Sequence, residues 1–227
     1  MNLVILGRGK TGSLVAEAAR GRGHTVVVFG SADNQGARKL TPDVLEAIDV
    51  VIDFTTPTAV VENIAACIRS HANLVVGTTG WYGELPRIKP LVEQSGIGLL
   101  YAANFSIGVN LFFDIARAAA PAVRYGYQGR ILEKHHVHKK DAPSGTAVAI
   151  RNVIRGAAQA ELPIESVREG DVVGMHQVTF ESAGDSITLV HEAKSRRGFA
   201  EGAVRAAEWL QGKSGLYDFK DIFRELR

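Results

Sequence analysis

The feature that most limits how this chain can fold is a unit repeated through its first hundred residues. A short, continuous apolar run is followed by a polar or glycine-rich break and then a helical stretch. Residues 3–6 are such a run, and residues 25–29, 50–54, 73–76 and 98–102 read as further strands, each with at least three consecutive apolar residues. A strand covered on both faces reads as an unbroken apolar run, whereas a half-exposed strand alternates. Between the runs, residues 13–20 read as a helix closed by Gly21 and Gly23. Thr41-Pro42-Asp43 opens another, with a threonine cap and a proline in the first turn. A helix through Cys67 and one over 86–94 complete the alternation. Strands alternating with helices predict an α/β fold built on a doubly wound parallel sheet.

The pattern changes after Asn104. Residues 110–120 read as a helix and 129–138 as extended chain, and a helix begins near Ser144. Two alternating segments, 177–181 and 186–191, are joined through Ala183-Gly184-Asp185 and predict an antiparallel hairpin. Residues 199–210 form a last amphipathic helix, with Ala203, Ala206, Ala207 and Leu210 on or near one face. No strand leads into it, so it is expected to return to the first lobe. The expected organisation is therefore a first domain of residues 1–104 plus 199–227 and a second, α+β domain of residues 105–198.

The bulk properties exclude several classes. With Lys plus Arg at 26 and Asp plus Glu at 24, the net charge of +2 gives no case for nucleic acid, and any basic site must be local. The single cysteine, Cys67, allows no intrachain disulfide, which fits a reducing cytosol; it reads as a small buried apolar residue. Met1 to Gly7 lacks the pattern of a signal peptide, and no apolar run is long enough to span a bilayer.

Gly7-Arg8-Gly9-Lys10-Thr11-Gly12 fits G-x-G-x-x-G and stands between the first strand and the first helix. Glycines let the backbone turn tightly and approach a pyrophosphate, which the helix N–H groups then bind. A tight turn without a ligand has the same spelling; the strand–turn–helix context favours a dinucleotide site on a Rossmann-like lobe. The acid that usually holds the ribose is expected about twenty residues further on. That region is Phe29-Gly30-Ser31-Ala32-Asp33, with no acid at the strand end. Asp33 could hold a ribose, although a solvated loop aspartate is the favoured reading, and Arg8, Lys10, Arg38 and Lys39 are candidates for a 2′-phosphate, with plain surface charge the alternative for each. NADPH is the expected coenzyme, with NADH also accepted. The other strand ends should line the same crevice: Phe54-Thr55, Gly77-Thr78-Thr79 and Ala102-Ala103-Asn104-Phe105. A Gly-Thr-Thr-Gly turn offers backbone donors and hydroxyls to a nicotinamide carboxamide.

The chemistry is concentrated in Glu133-Lys134-His135-His136-Val137-His138-Lys139-Lys140, which leads into Asp141-Ala142-Pro143-Ser144-Gly145-Thr146. In extended chain, alternate side chains share a face. His136 and His138 would point together, and His135, Val137 and Lys139 would share the other side. A metal site is one reading, but neighbouring lysines repel a cation and no Cys or carboxylate pattern completes a tetrahedral set. Exposed histidines trailing a strand are another. The favoured reading is an anion pocket containing an acid: histidine transfers protons near neutral pH, lysines attract carboxylates, and the helix start at Ser144-Gly145-Thr146 presents N–H groups. Lysine and a helix N-terminus together suggest a dicarboxylate substrate, and a reductase with such a pocket suits an imine conjugated to a carboxylate.

The run from His135 to Ala147, HHVHKKDAPSGTA, resembles the signature of the 4-hydroxy-tetrahydrodipicolinate reductase family. So do Asp53-Phe54-Thr55, Gly77-Thr78-Thr79-Gly80 and the segment from Asn104 to Asn110. Gly174-x-His176-x-Val178-x-Phe180, His191-x-Ala193-x-Ser195-Arg196 and Phe199-Ala200-x-Gly202-Ala203 also match, so the resemblance covers essentially the whole chain. It implies NAD(P)H-dependent reduction, with loss of water, of the hydroxy-tetrahydrodipicolinate made from pyruvate and aspartate semialdehyde. It further implies a cytoplasmic enzyme of lysine and diaminopimelate biosynthesis, usually a homotetramer assembled through sheets of the substrate-binding and oligomerisation domains. By the resemblance, His135 is the proton donor and Lys139 assists the chemistry and holds substrate. His136 meets one carboxylate, and Ser144, Gly145 and Thr146 bind the other. The coenzyme would meet the glycine turn, Gly77, Thr79 and residues 102–105. Three positions depart from the family pattern: the glycine turn is one residue shorter with Thr11 where an apolar residue is common, Val137 stands where arginine is frequent, and the loop after the second strand is short. The alternatives are a related Rossmann-fold imine or amino-acid dehydrogenase with another dicarboxylate substrate, which would not need the long signature, and a non-catalytic dinucleotide sensor, which would not keep both His135 and Lys139.

Overall fold

The structure, a computed structural model, describes residues 1–226. In chain order the regular elements are β1 (Asn2–Leu6), α1 (Lys10–Gly21), β2 (Thr25–Phe29), α2 (Pro42–Leu45), β3 (Val50–Asp53), α3 (Pro57–Arg69), β4 (Asn73–Val76), α4 (Leu85–Ser95) and β5 (Gly98–Tyr101). They are followed by α5 (Ile107–Ala119), β6 (Gln128–His135), α6 (Gly145–Ala158), β7 (Ile164–Arg168), β8 (Met175–Glu181), β9 (Ser186–Glu192), α7 (Arg197–Leu210), β10 (Gly215–Asp218) and α8 (Phe219–Ile222). The chain forms two compact units: Met1–Ile107 together with the residues from Arg197 on, and Gly108–Arg196.

In the first unit all six strands are parallel, in the order β10-β5-β4-β3-β1-β2. The apolar runs of β1, β3, β4 and β5 are explained by cover on both sides, whereas edge strand β2 leaves Val27 44% exposed. Leu3 and Ile5 face one cluster with Val15, Ala19 and the α7 residues Ala203, Ala207 and Leu210; Val4 and Leu6 face a second with Ile64, Cys67 and Val92. Each such aliphatic side chain contributes about 1.5–3 kcal/mol on burial. Cys67 lies wholly inside the second cluster, and burial pushes its thiol pKa up.

Two features of this unit depart from the sequence reading. The first helix begins at Lys10, not Ser13: Gly9 already has extended cap geometry, and the Ser13 amide bonds the Gly9 carbonyl at 3.0 Å. The turn is thus only Gly7 to Gly9, and Lys10, Thr11 and Gly12 are the first helical turn. Beyond α7, β10 pairs with β5 as a sixth strand; four residues with a glycine and an aspartate carry too little periodicity to announce it.

The second unit has a mixed sheet, β7-β6-β8-β9. β6 runs parallel to β7 and antiparallel to β8, and β8 and β9 form the expected hairpin. One face is apolar: Ile131, Val178 and Phe180 pack on Ala147, Ile150 and Ile154 of α6 and on Phe112 and Ala116 of α5. β6 stops at His135, three residues before the expected end, because the chain turns there and the Lys139 amide bonds the His136 carbonyl at 3.1 Å.

Close backbone approaches make some glycines obligatory. A Cβ on Gly202 in α7 would stand 1.8 Å from the Phe105 carbonyl oxygen, whereas one on Gly156 in α6 would meet nothing within 4 Å. Gly202→Ala is therefore expected to lose at least about 1–3 kcal/mol of stability in urea unfolding. Gly156→Ala should gain about 0.5–1 kcal/mol. A neutral Gly202→Ala would contradict the close passage of α7 past Phe105.

Candidate active site

The order in which strands are added to the first sheet reverses at β1, with β2 on one side and β3 on the other, and a crevice opens at the carboxyl ends of these parallel strands, as expected for a doubly wound sheet. Its volume is about 600 Å³, and its lining includes Gly7, Gly9, Gly30, Phe54, Thr55 and Asn63. Gly7 has φ +106°, and a Cβ there would stand 2.3 Å from the Phe54 carbonyl oxygen. The glycine turn therefore lies directly against the end of β3.

Asp53, the last residue of β3, is fully buried and organises this region. Its Oδ1 accepts from the Thr55 amide at 2.9 Å, the Thr55 hydroxyl at 2.7 Å and the Thr78 hydroxyl at 2.8 Å. Its Oδ2 accepts from the Asn63 amide group at 2.7 Å. Burial raises the Asp53 pKa, and these hydrogen bonds act against that rise. The Asp53 carboxylate thus joins the turns after β3 and β4. Asn63 extends the network, accepting at 2.9 Å from Asn34 in the segment after β2.

Of the basic candidates for a 2′-phosphate, the two arginines are held by protein groups and the two lysines are exposed. Arg8 pairs with Asp33 at 3.1 Å and bonds the Val28 carbonyl at 3.2 Å, while the Gly30 amide donates to Asp33 at 2.9 Å. Arg38 donates to the carbonyls of Ala32 and Asp33 at 2.6 and 2.8 Å. Lys10 and Lys39 are exposed. At the remaining strand ends, Thr79 and Ala103 are exposed, Gly77 and Asn104 half-buried, and Ala102 buried. Phe105 is core, its ring edge-on to Phe219 at 4.9 Å.

In the second unit, period-two geometry puts Glu133 and His135 on the same face of β6 as core residue Ile131. The apolar face thus ends in a carboxylate and an imidazole. Register supplies their neighbours: Glu133 stands opposite His176 on β8, and His135 opposite Arg168 on β7. His135 Nδ1 is hydrogen-bonded to Glu133 Oε2. Glu133 Oε1 accepts from Arg168 at 2.9 Å and from the Ser144 amide at 3.3 Å. Arg168 also bonds the Asp141 carbonyl at 2.6 Å, and Lys139 Nζ pairs with the Asp141 carboxylate at 2.8 Å. The His135 and His176 rings meet edge-on, 5.2 Å apart.

Ser144 caps α6, its hydroxyl accepting from the Ala147 amide at 3.2 Å and lying 3.2 Å from His176 Nε2. Gly145 and Thr146 form the first turn of α6, whose N–H groups have no intrahelical acceptor. The turn after β6 alters the expected facing. His135 is buried and Val137 is 55% exposed, so the two do not share a side, while the His136 and His138 rings stay 6.3 Å apart. Glu133, Arg168 and His176 join the group although the sequence assigns them no site role. The signals were there: Glu133 lies two residues before His135, and His176 is within the Gly174-x-His176 motif.

The electrostatics follow from burial and pairing. Burial raises the Glu133 pKa, but hydrogen bonds from Arg168, Ser166 and His135 outweigh it and hold the carboxyl below its usual range. Burial lowers the His135 pKa; Glu133 opposes this, and Lys139 and Arg168 add to it. His176 is pushed down to about 4, chiefly by burial and then by His135. Donor atoms of Glu133, His135 and His176 lie within 4.8 Å of one another, a combination a metal ion can use. Arg168 and the Lys139 cation beside them, and the engagement of Glu133 with Arg168 and His135, favour proton chemistry instead.

A histidine whose folded pKa lies below its ordinary 6.5 binds fewer protons folded than unfolded. Its contribution is intact above about pH 6.5 and is lost as pH falls toward 4, a change of about 3 kcal/mol. Urea unfolding followed from pH 7 to 4 should show this loss, and His176→Gln should flatten it; an equal loss in the variant would contradict the assignment.

The comparisons with known proteins cover both units. Residues 1–105 match the family described as "Dihydrodipicolinate reductase, N-terminus" and residues 108–223 that described as "Dihydrodipicolinate reductase, C-terminus". The 4-hydroxy-tetrahydrodipicolinate reductase of Christiangramia forsetii is 38% identical, covering 100% of this chain and 99% of that one. That of Neisseria meningitidis serogroup C is 36% identical, covering 94% and 93%. Among solved structures, a dipicolinate-bound dihydrodipicolinate reductase from Paenisporosarcina sp. TG-14 has the same fold, with a TM-score of 0.82 at 24% identity, covering 98% of this chain and 99% of that one. With both halves matched and relatives aligned nearly end to end, the chain belongs to the dihydrodipicolinate reductase family.

Proposed function

We propose that this chain is a 4-hydroxy-tetrahydrodipicolinate reductase, acting with NADPH or NADH in lysine and diaminopimelate biosynthesis. It converts (2S,4S)-4-hydroxy-2,3,4,5-tetrahydrodipicolinate to tetrahydrodipicolinate, with loss of water. The observation that carries this reading is the grouping, in the second unit, of an imidazole backed by a carboxylate, a lysine and an open helix N-terminus. That combination suits proton delivery to a dicarboxylate.

The first unit binds the coenzyme, which supplies the hydride. Gly7 and Gly9 let the backbone approach its pyrophosphate, and the first amides of α1, from Lys10, Thr11 and Gly12, bind it. Phe54, Thr55, Gly77, Thr78, Thr79 and residues 102–105 line the nicotinamide end, with Thr55 and Thr78 held by Asp53. Arg8 is assigned to a 2′-phosphate because it is 62% exposed and lies against Gly30 in the crevice lining; on binding it would exchange its present partners, Asp33 and the Val28 carbonyl, for the phosphate. This favours NADPH without excluding NADH.

The second unit binds the substrate. His135 delivers a proton from Nε2, Lys139 binds substrate and assists charge balance, and His136 meets one carboxylate. The other carboxylate takes hydrogen bonds from the Gly145 and Thr146 amides and the Ser144 hydroxyl. His176 supports the last role. If Nε2–H of neutral His176 donates to Ser144 Oγ, its buried, unpartnered Nδ1 is an acceptor, and the Ser144 hydrogen stays available to a ligand. The opposite tautomer would strand a buried N–H, the costlier defect.

A cytoplasmic homotetramer completes the reading. No helix among the described residues is long and apolar enough to cross a membrane, and the lone cysteine suits a reducing compartment. Edge strand β9 exposes Ile187 and Val190, at 39% and 54%, which suits burial against another copy.

The test is a coupled assay with pyruvate, aspartate semialdehyde and a hydroxy-tetrahydrodipicolinate-forming synthase, following oxidation of NADPH and then NADH. Synthase-dependent oxidation is expected, with the lower KM for NADPH. His135→Gln should lower kcat by about 100-fold or more, and Lys139→Ala should lower kcat and raise KM. Near-normal turnover in His135→Gln would remove its proton-donor role. Absence of synthase-dependent oxidation, with coenzyme binding intact, would point to a related imine or amino-acid dehydrogenase.

A further inference from the structure

We propose that Glu133, held in place by Arg168, is the positioning group that fixes the ring of His135, its tautomer and the pH range in which it stays protonated. This rests on the proton-donor role of His135 given above. Glu133 is 0% exposed, and a carboxylate removed from water becomes neutral unless it is paired and hydrogen-bonded. Here it is satisfied from three elements: Arg168 on β7, the Ser144 amide at the start of α6, and His135 on its own strand. It is therefore an ionised acceptor.

An ionised carboxylate can only accept, so His135 Nδ1 must carry the hydrogen between them. Nε2 is left as the nitrogen that gains and loses a proton. It faces Gly174, where a Cβ would stand 3.0 Å from Nε2, so the glycine keeps that position open. Without Glu133 the imidazole could reverse about its ring torsion or take the other tautomer, and the proton would no longer be offered from one fixed atom.

The charges around the ring decide its range. Glu133 on β6 favours the imidazolium, while Lys139 in the turn after β6 and Arg168 on β7 oppose it; His176 on β8, pushed down to about 4, is neutral in this range and adds no charge. Arg168 moderates the carboxylate, and its bond to the Asp141 carbonyl ties the pair to the residue that holds Lys139. A proton donor works below its pKa and fails as pH rises through it. Loss of the Glu133 charge should therefore move the alkaline limb of activity to lower pH, and loss of the Arg168 charge should move it to higher pH.

The test combines the pH dependence of kcat with a nitrogen-15 histidine NMR titration of the full-length protein, the His135 signal being assigned by its loss in His135→Gln. In Glu133→Gln, the His135 pKa and the alkaline limb are expected to fall together by about 1–3 pH units. In the same variant kcat should drop by about 100-fold with KM little changed. Arg168→Gln should shift both in the opposite direction, and Glu133→Asp should restore the wild-type limb and part of the rate. An unchanged His135 titration in Glu133→Gln, with activity and thermal stability lost in parallel, would reduce Glu133 to a structural residue and overturn the proposal. If Glu133→Gln does not fold, Arg168→Gln decides alone, and no upward shift would overturn it. The NMR shift does not depend on turnover: if it occurs while His135→Gln retains activity, the donor role fails and the Glu133–His135 linkage stands.

Discussion

A carboxylate taken out of water must recover its hydrogen bonds from the protein, and each unit of this chain is organised by one that does. Asp53 and Glu133 are both fully buried, at the last position of β3, whose other residues are core, and at the third-last position of β6, on the face that Ile131 gives to the core. An unpaired buried charge would cost several kcal/mol. Each therefore draws in donors both from beside it on the chain and from further along: Thr55, Asn63 and Thr78 around Asp53, and His135, Ser144 and Arg168 around Glu133. Those donors are, or adjoin, the groups proposed to hold the coenzyme and the substrate.

The two carboxylates differ in what surrounds them, and the difference matches their proposed tasks. Asp53 meets only neutral donors, so burial dominates and its pKa is raised. It acts as a rigid junction between two loops. Glu133 meets a guanidinium and an imidazole, so its charge persists despite burial. A persistent negative charge against one nitrogen of a buried histidine can orient the ring and tune its proton affinity together, which a neutral amide could not do.

Much of this could be read from the chain. The five apolar runs and the glycine turn specify the parallel sheet and its crevice, because cover on both faces of β1, β3, β4 and β5 leaves an unmistakable pattern. The Ala183-Gly184-Asp185 turn between alternating segments specifies the β8–β9 hairpin. Edge strands β7 and β10 were harder: Ile164-Glu-Ser-Val-Arg168 has two apolar residues, and a short edge pairing needs little more than backbone. The end of β6 was set too late because residues 135–138 carry no turn residue; the turn is imposed by tertiary structure.

Site residues divide in the same way. His135, Lys139 and the Ser-Gly-Thr helix start stand in one short segment, where composition alone draws notice. Arg168 and His176 lie more than thirty residues away and reach Glu133 and Ser144 only through strand register, which a single sequence does not display. The Arg8–Asp33 pair is likewise invisible in the sequence, where the two residues read as separate candidates for the ribose end of the crevice.

The central claim is that the second unit binds a dicarboxylate between the start of α6 and the His135 imidazole. Pyridine-2,6-dicarboxylate, a planar analogue of the proposed substrate, tests it directly when its complex with the coenzyme-loaded protein is solved by crystallography. The account predicts one carboxylate on the Gly145 and Thr146 amides and the ring within hydrogen-bonding reach of His135 Nε2. A dicarboxylate seated away from His135, or no binding at concentrations that saturate an active reductase, would contradict it.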